Sequence, residues 1–528
     1  AAPRRPRSLT RPRLDRFEAA ALAALGALSV AVLAGLLVRV WTKGGIVTGS
    51  DGFLVVDQLQ YLNWLRQAGE HFAVTNLYDI GSYPRDYVHP GVAVSGLLHR
   101  LGLGLAASYM AWKPVAVVAL FASALLYVRR FLPERRDRRL ALVLALFTVS
   151  PLAPLVGWSH AGGPGRKLQF DFITNEMWPG NYLWGYLFTA LAVALVPLGL
   201  LAYERGRRGG APRMLPWAGL AGLFAAWLQP WQGATFAAVI VAGELLCRRR
   251  EALAAARDLA VPVVATALPL VYYVVLQHSD DAWKLAGIAN DPSHIHRWPV
   301  WVTILGLVPL GLPALLAYRR GFEHSFGELA LRAWPLLAIL LFYLPLGTFP
   351  FHAFQGLALP LAVLATVTLR RFSIAAVASF AALLVLPGTA YQADQMRSAV
   401  NHGFQPFFLT ADEHDALAYL DRDPQKGGVL APVYSGLLVP AYTGRQTWVG
   451  AGSWTPHFEA RRAAAERLFG GQLSPAQARS LVRQSGARFL YSDCHGRANI
   501  DRAVVSFAGS PRRFGCAAVY RVNDPGAP

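Results

Sequence analysis

The sequence predicts an all-α polytopic transmembrane bundle of about eleven spanning helices, followed by a C-terminal soluble α/β domain. Of the 528 residues, 54% are hydrophobic and only 15% are charged. The mean hydropathy is +0.34, which is too high for a soluble protein of this size. Apolar runs continue to about residue 391, and the composition then becomes that of a soluble domain. The chain therefore divides into a membrane part, 1–391, and a soluble part, 392–528.

The positive charge of the chain is concentrated at the ends of its apolar runs. The net charge is +19 and the isoelectric point is about 10.2, values that in a soluble protein would suggest nucleic-acid binding. Here the arginines follow the positive-inside pattern of membrane proteins. This pattern predicts a membrane-lipid environment and no nucleic-acid partner. The clusters are Arg129-Arg130, Arg135-Arg136, Arg205 to Arg208, Arg248 to Arg250, Arg319-Arg320 and Arg370-Arg371.

The first predicted span runs from Phe17 to Trp41 and follows the basic stretch Arg4 to Arg16. Its apolar run is longer than the core of a signal peptide, so we expect an uncleaved anchor with a cytoplasmic N-terminus. An odd number of spans then places the C-terminal domain outside the plasma or inner membrane. The short runs around Gln229 to Gln232 leave open a re-entrant hairpin in place of two spans. The other windows are 104–129, 140–158, 181–203, 214–229, 231–247, 258–277, 299–318, 328–346, 352–369 and 373–391.

Helix-like and strand-like segments alternate after residue 392, which indicates a small α/β domain. Cys494 and Cys516 both lie in this part, where an oxidising compartment would allow them to pair, although spacing alone does not show that they meet. The predicted helices are Thr410 to Arg422, His457 to Phe469 and Ser474 to Ser485, and the predicted strands are Gly428 to Ala431, Ala487 to Ser492 and Ala517 to Val522.

The long first loop, residues 42–103, carries most of the chemistry. Two amphipathic stretches, Val55 to Ala68 and Gly91 to Leu103, predict interfacial helices. Asp57 lies at the start of the first one. A carboxylate at a helix N-terminus is held ionised and could accept a proton from a hydroxyl nucleophile, and the alternative is that it only caps the helix. The acids and histidines of the loop are Asp51, Asp57, Glu70, His71, Asp79, Asp86 and His89.

The basic tail, first span, long loop and its motifs together resemble the GT-C superfamily of membrane glycosyltransferases. This superfamily includes protein O-mannosyltransferases, the lipid A aminoarabinose transferase, and actinobacterial arabinosyl- and mannosyltransferases of the cell envelope. Many members carry D-E-x-x-Y where this chain has Asp57-Gln58-x-x-Tyr61, and K-P-P or a related motif where it has Val88-His89-Pro90-Gly91. The second carboxylate of the pair, which would suit a metal ion, is absent here.

The resemblance implies an inverting transfer of sugar from a polyprenyl-phosphate donor to a glycan, lipid or protein acceptor. Asp57 would be the catalytic base, and Tyr61, Asp86 and His89 would contact substrate. Two rival functions remain open on the residues themselves: a secondary transporter or lipid flippase, and a non-catalytic glycan-binding membrane scaffold. Phosphate-binding loops, dinucleotide-binding glycine motifs, hydrolase nucleophile elbows and C-x-x-C pairs do not occur in the sequence.

Three further patches carry candidate binding residues. In the first, Arg166 and Lys167 suit a phosphate or pyrophosphate leaving group, and Asp171 and Glu176 suit sugar hydroxyls or a divalent ion, unless the patch is an exposed loop with a local salt bridge. In the second, His352 and Gln355 begin a span, where they would contact the lipid phosphate or water. No motif fixes a cofactor, and Mg²⁺ or Mn²⁺ remains open. The third patch would suit Mg²⁺, Mn²⁺ or Zn²⁺ or be a solvated loop, and consists of His278, Asp280, Asp281, Asp291, His294, His296 and Arg297.

Overall fold

The computed structural model describes residues 14–291, 298–345, 348–402, 406–496 and 499–523, with the side chains of 401 and 402 excepted. Among these residues, nine helical segments are long and apolar enough to cross a membrane, and three of them join two neighbouring elements across a short break or kink. The shorter apolar helices Met214–Leu228 and Ala358–Leu369 lie at two further predicted windows, so the predicted helical bundle is confirmed. The nine are Arg16–Lys43, Leu105–Phe131, Arg135–Ser159, Leu187–Gly209, Pro230–Cys247, Ala252–Ser279, Val300–Ala317, Phe326–Tyr343 and Ile374–Val400.

The membrane part contains eighteen α-helices and one short strand in the described residues, with 3-10 turns at Arg207–Gly209 and Pro350–Phe354. In chain order the elements are α1 Arg16–Lys43, β1 Ile46–Val47, α2 Val55–Glu70, α3 Pro90–Arg100, α4 Leu105–Met110, α5 Trp112–Phe131, α6 Arg135–Phe147, α7 Leu152–Ser159, α8 Gly163–Met177, α9 Pro179–Leu183, α10 Leu187–Gly206, α11 Met214–Leu228, α12 Pro230–Cys247, α13 Ala252–Ser279, α14 Asp281–Ala289, α15 Val300–Ala317, α16 Phe326–Tyr343, α17 Ala358–Leu369 and α18 Ile374–His402.

The C-terminal part is an α/β unit around a four-stranded sheet of order β3-β4-β6-β5. The strands β3 and β4 are parallel, and the other two pairings are antiparallel. The predicted α/β class is confirmed. The elements are β2 Phe408–Leu409, α19 Ala411–Arg422, β3 Val429–Leu430, α20 Val433–Gly436, α21 Val439–Thr443, α22 Phe458–Phe469, α23 Pro475–Ser485, β4 Phe489–Ser492, α24 Asp501–Val504, β5 Arg512–Phe514 and β6 Ala517–Arg521, with a 3-10 turn at Gly452–Trp454.

Helix ends in both parts follow the local sequence. Asp15 caps α1 in a reciprocal box with Glu18, and Thr410 and Ser474 form the same box at α19 and α23. The predicted window 140–158 is broken between α6 and α7, because Pro151 cannot continue the helix through its missing N–H. The last membrane helix, α18, continues to His402, beyond the boundary at 391 that composition suggested.

The C-terminal unit packs against the first long loop. Strand β1 pairs with β2 in antiparallel register, Ile46 opposite Leu409. The Asn76 amide donates to the Trp454 carbonyl oxygen at 2.9 Å, and Arg461 forms an ion pair with Asp79 at 2.5 Å. These contacts fix the loop that contains α2 against the soluble unit. The same unit contains a disulfide between Cys494 and Cys516, with Cα atoms 5.0 Å apart.

Candidate active site

Asp57 is the third residue of α2 and does not cap that helix. The N-cap position is Leu54, and no side chain caps the helix. Instead, the Asp57 carboxylate accepts a hydrogen bond of 2.6 Å from the Tyr186 hydroxyl, which lies just before α10. The capping alternative is therefore wrong, and Asp57 is available for another role. Its position in the first helical turn still favours the ionised form through the helix dipole.

The Asp57 side chain keeps contact with solvent although protein surrounds it, which is the situation of a group in a recess. Desolvation by the surrounding protein raises the pKa of the Asp57 carboxyl above its ordinary value, and the Tyr186 hydroxyl opposes this increase. The positive charge of His352 also lowers the pKa, and the negative charge of Glu176 raises it.

Glu176, His352 and Gln355 form a polar cluster near Asp57. Glu176 lies in the last turn of α8 and is 6% exposed, and its Oε2 accepts a hydrogen bond of 2.7 Å from Gln355 Nε2. The Nδ1 atom of His352 lies 3.1 Å from the same oxygen. The structure thus brings together residues that the sequence placed in three separate patches. Such a cluster can bind hydroxyl and phosphate groups through charged and neutral hydrogen bonds.

Two side chains of α12 donate hydrogen bonds to the main chain around the turn that contains His352. Gln232 is fully buried and donates to the carbonyl oxygens of His352 and Gln355 at 3.1 and 3.2 Å. Trp231 donates to the Thr348 carbonyl at 2.8 Å. The sequence singled out this Gln-Pro-Trp-Gln segment only as a doubtful span boundary. Its function in the structure is to support the polar cluster.

Tyr61 and His89 lie beside the recess in an aromatic layer. The Tyr61 ring is half-buried and stacks on Tyr109 with centroids 5.8 Å apart. His89 caps α3: its Nδ1 accepts from the Val92 N–H at 3.2 Å, and its Nε2 lies 3.5 Å from the Leu228 carbonyl. Burial lowers the pKa of His89 to about 4, so it is neutral and both nitrogens are occupied. His89 therefore caps α3, and the substrate contact predicted for it stays a prediction.

Asp86 lies in a different environment, opposite Asp280. Desolvation, reinforced by the charge of Asp280, raises the pKa of Asp86 to about 6 from 3.8. Asp280 is itself buried and caps α14 through the Ala282 N–H at 2.7 Å. The Tyr272 hydroxyl donates to the Asp86 main-chain oxygen at 2.7 Å. Asp86 therefore joins the first loop to α13 and α14, and its carboxyl has Asp280 as its charged neighbour.

We expect the substitution Asp86→Asn to stabilise the protein at pH 8 and to have little effect at pH 4. A carboxyl whose pKa is raised on folding binds more protons in the folded state, so its contribution to stability falls as pH rises from about 4 to 6. The apparent melting temperature measured in detergent at both pH values checks this. Asp281→Asn is the control, because Asp281 is exposed and forms an ion pair with Lys284 at the surface. Equal melting temperatures for Asp86→Asn and wild type at pH 8 would contradict the expected repulsion.

Arg166, Lys167 and Asp171 lie toward the other end of α8 from Glu176. At about 1.5 Å per residue, Lys167 is about 13 Å along the helix axis from Glu176. Lys167 forms an ion pair with Asp171 at 2.7 Å, and Arg166 lies over the Trp301 ring at 4.4 Å. Desolvation raises the pKa of Asp171, opposed by Lys167. Glu176 therefore belongs to the cluster near Asp57, whereas the two cations lie about 13 to 15 Å away along the axis of α8.

Among the described residues, Asp57 does not belong to a close group of three metal-ligand atoms. In the part of the chain that the structure describes, three metal-ligand atoms within 4.8 Å of one another occur at Asp412, Cys494 and Cys516. Both sulfurs there form the disulfide, which leaves no thiolate ligand. Asp57, Glu176 and His352 do not form such a set. Of the third patch, His294, His296 and Arg297 lie outside the described residues.

Helices α10, α12 and α17 each begin at this polar site and end at an arginine cluster. Tyr186 precedes α10, Gln232 lies in the first turn of α12, and Gln355 precedes α17. The opposite ends meet Arg205 to Arg208, Arg248 to Arg250 and Arg370-Arg371. The helices α10 and α12 have 20 and 18 residues and are therefore about 30 Å long, so the site and the arginines lie at opposite faces of the bundle. The chain is thus a multi-pass membrane protein with its polar site at the face that carries the α/β unit.

No protein-family model and no curated protein sequence matches the chain significantly. Several solved structures, however, match the chain in fold. The oligosaccharyltransferase AglB from Archaeoglobus fulgidus, in complex with an inhibitory peptide and a dolichol-phosphate, aligns over 97% of this chain and 75% of its own with TM-score 0.53 and 12% identity. ArnT from Cupriavidus metallidurans, bound to undecaprenyl phosphate, aligns over 97% and 98% with TM-score 0.53 and 11% identity.

The arabinofuranosyltransferase AftD from Mycobacteria is a third similar structure, with TM-score 0.53 and 16% identity over 98% of this chain. The alignment covers 42% of the AftD chain. These three proteins are members of the GT-C superfamily. The fold of the present chain is therefore the GT-C fold, as the first-loop motifs predicted.

Proposed function

We propose that this protein is a membrane glycosyltransferase that moves a sugar from a polyprenyl-phosphate donor to an acceptor hydroxyl with inversion. The observation that carries the proposal is the environment of the Asp57 carboxylate. This group is accessible in a recess and accepts a hydrogen bond from Tyr186, and the charges of Glu176 and His352 act on its pKa. The GT-C fold supports it, because AglB and ArnT were solved with polyprenyl-type phosphates. A glycan, lipid or protein would be the acceptor.

Asp57 acts as the general base in this proposal. The acceptor oxygen attacks C1 of the sugar while its proton passes to Asp57, and the bond between C1 and the phosphate oxygen breaks. Attack from the face opposite the phosphate inverts the configuration at C1. The Tyr186 hydrogen bond keeps the carboxylate oriented, with one carboxylate oxygen left for the acceptor.

The leaving phosphate gains negative charge and needs hydrogen-bond donors. His352 is half-buried beside Glu176, and we propose it as the donor closest to this phosphate. Glu176 and Gln355 orient the imidazole and would contact sugar hydroxyls. Arg166 and Lys167 are too far along α8 to share that contact, and we propose that they meet the anionic lipid elsewhere along its path.

We also propose a topology for the chain. The arginine clusters would be cytoplasmic, together with the N-terminus, because cytoplasmic turns attract Lys and Arg. The polar site and the domain 392–528 would then face the exterior of the plasma or inner membrane, and residues 1–391 would form the membrane domain. Support comes from α10, α12 and α17, each of which joins the polar site to an arginine cluster.

Purified protein in lipid nanodiscs, incubated with a panel of radiolabelled polyprenyl-phosphate sugars and candidate glycan acceptors, tests the proposal. We expect label to leave the lipid fraction and to appear in the acceptor, or slowly in water, with the inverted anomer identified by NMR. In liposomes, movement of intact donor across the bilayer would instead indicate a transporter or flippase. Saturable glycan binding with no release of label from any donor of the panel would indicate a scaffold.

A further inference from the structure

A buried ion pair ties the first loop to the bundle just before Asp57. The Lys113 ammonium, in the first turn of α5, lies 2.7 Å from Asp51 Oδ2, and both side chains are almost fully buried. Lys113 also donates to the carbonyl oxygens of Ser29 at 3.0 Å and Leu183 at 2.5 Å. Because either charge alone would be costly in this position, the pair is maintained as a unit. It joins α1, α5, the first loop and the segment before α10.

The side-chain amide of Gln58 forms a second link between the first loop and the segment before α10. Its Oε1 accepts from the Asp51 N–H at 2.8 Å, and its Nε2 points to the Trp184 carbonyl oxygen at 3.4 Å. The side chain is fully buried. One end therefore binds the first loop, and the other binds the segment that contains Tyr186. A carboxamide satisfies both, since it has an acceptor and a donor, whereas a carboxylate could only accept.

Glycines allow the two segments to approach closely around Gln58. A Cβ atom added to Gly52 would lie 1.5 Å from the Trp184 carbonyl oxygen. A Cβ atom added to Gly185 would lie 2.1 Å from Gln58 Nε2, and Gly185 also has a φ of 132°, which other residues rarely adopt. The backbones are thus in direct contact, and a change at Gln58 moves one segment relative to the other.

We propose that Gln58, braced by the Lys113–Asp51 pair, is a positioning residue that sets the register between Asp57 and Tyr186. Asp57 is adjacent to Gln58, and Tyr186 is two residues after Trp184, so the amide bridge and the 2.6 Å bond from Tyr186 to Asp57 depend on the same juxtaposition. This inference rests on the proposed function, because it assigns Gln58 an effect on the base of that reaction.

Gln58→Glu is the first test variant. The added carboxylate would repel the Trp184 carbonyl and shift the Asp57 segment, and a displacement of about 1 Å at a reacting group lowers rates up to about 100-fold. We expect kcat to fall about 10- to 100-fold with KM within about twofold of wild type. The rise of kcat with pH should also move to higher pH, because the new negative charge disfavours ionisation of Asp57.

Gln67→Glu is the matched control. Gln67 is also buried on α2 and also bridges with both amide ends, donating to the Thr75 carbonyl and accepting from the Thr75 N–H, each at 3.0 Å. A change there perturbs the same helix without touching the segment of Tyr186. We expect it to lower stability and to leave kcat per folded molecule and its pH profile near wild type.

A double-mutant cycle with Tyr186→Phe decides between positioning and general destabilisation. If Gln58 acts through the Tyr186 bond, Gln58→Glu lowers kcat much less in the Tyr186→Phe background, whereas Gln67→Glu has the same effect in both backgrounds. Gln58→Met serves if the glutamate variant does not fold, because it keeps the length and removes both hydrogen bonds. Additive effects in the Gln58 cycle, or a Gln58 variant with wild-type kcat, overturn the inference.

Failure of this inference is distinct from failure of the proposed function. If Asp57→Asn abolishes transfer while the Gln58 variants behave like Gln67→Glu, only the positioning role is wrong. If the folded Asp57→Asn protein transfers sugar at the wild-type rate, the assigned base is wrong, and the Gln58 inference falls with it.

Discussion

The substitution Asp57→Asn is expected to lower the rate of sugar transfer by about 10²- to 10⁴-fold, the range that general-base catalysis supplies. Asparagine has the same shape and still accepts the hydrogen bond from Tyr186, so the local packing around α2 should persist. It does not accept a proton from the acceptor hydroxyl at neutral pH. The measurement is the initial rate of label transfer in nanodiscs at saturating donor, together with the apparent melting temperature.

The control for this prediction is Glu70→Gln. Glu70 is the last residue of α2 and is exposed, and its Oε2 atom lies 4.0 Å from His71 Nε2. Removing this carboxylate changes the charge of the same helix by the same amount without touching the recess, so transfer should remain near the wild-type rate. An Asp57→Asn protein that is folded and fully active would show that another group accepts the proton.

The membrane spans were predictable because they depend on local composition. A run of about 20 apolar residues has few alternatives to a spanning helix, and α12 and α13 cover their windows 231–247 and 258–277. The amphipathic stretch Val55 to Ala68 likewise became α2, although its buried residues lie all around the helix and not on one face. One error lay inside a predicted span: the window 140–158 is interrupted between α6 and α7, beside Pro151.

The candidate site was predictable only in part, because its contacts join residues far apart in sequence. Asp57 was predictable from its position after the first span, whereas no local sequence pattern marked Tyr186 as its hydrogen-bond partner. Gln232 is fixed by main-chain oxygens of another segment, which no spacing rule reveals. Arg166 and Glu176 looked like neighbours in the sequence, yet the helix α8 separates them along its axis.

The residue Gln58, which departs from the D-E-x-x-Y pattern, is a further case in which the sequence did not reveal long-range contacts. In the sequence, Gln58 marked only a missing carboxylate. In the structure it occupies a buried position with an N–H on one side and a carbonyl oxygen on the other, where an amide fits better than a charged group. What the sequence registers as a loss for metal binding is therefore a local hydrogen-bonding requirement.

The second large effect is expected for Glu176→Gln, which should lower the rate of transfer by about 10²-fold. The substitution keeps the size of the side chain but removes the charge that Gln355 and His352 face, so the imidazole loses its orientation toward the leaving phosphate. Initial rates measured across the pH range in the nanodisc assay check this. The rise in rate with pH should also move to lower pH, because the Glu176 charge raises the pKa of Asp57.

His352→Gln provides the opposing variant. The positive charge of His352 lowers the pKa of Asp57, so its removal should move the rise in rate to higher pH while the rate at the plateau also falls. A variant that merely loosened the fold would lower the folded fraction without moving the pH profile, and it would not move the two profiles in opposite directions. If the pH–rate profiles of Glu176→Gln and His352→Gln move in opposite directions, Asp57 is the titrating base and its pKa responds to both charges. Unchanged profiles in both variants would contradict that assignment.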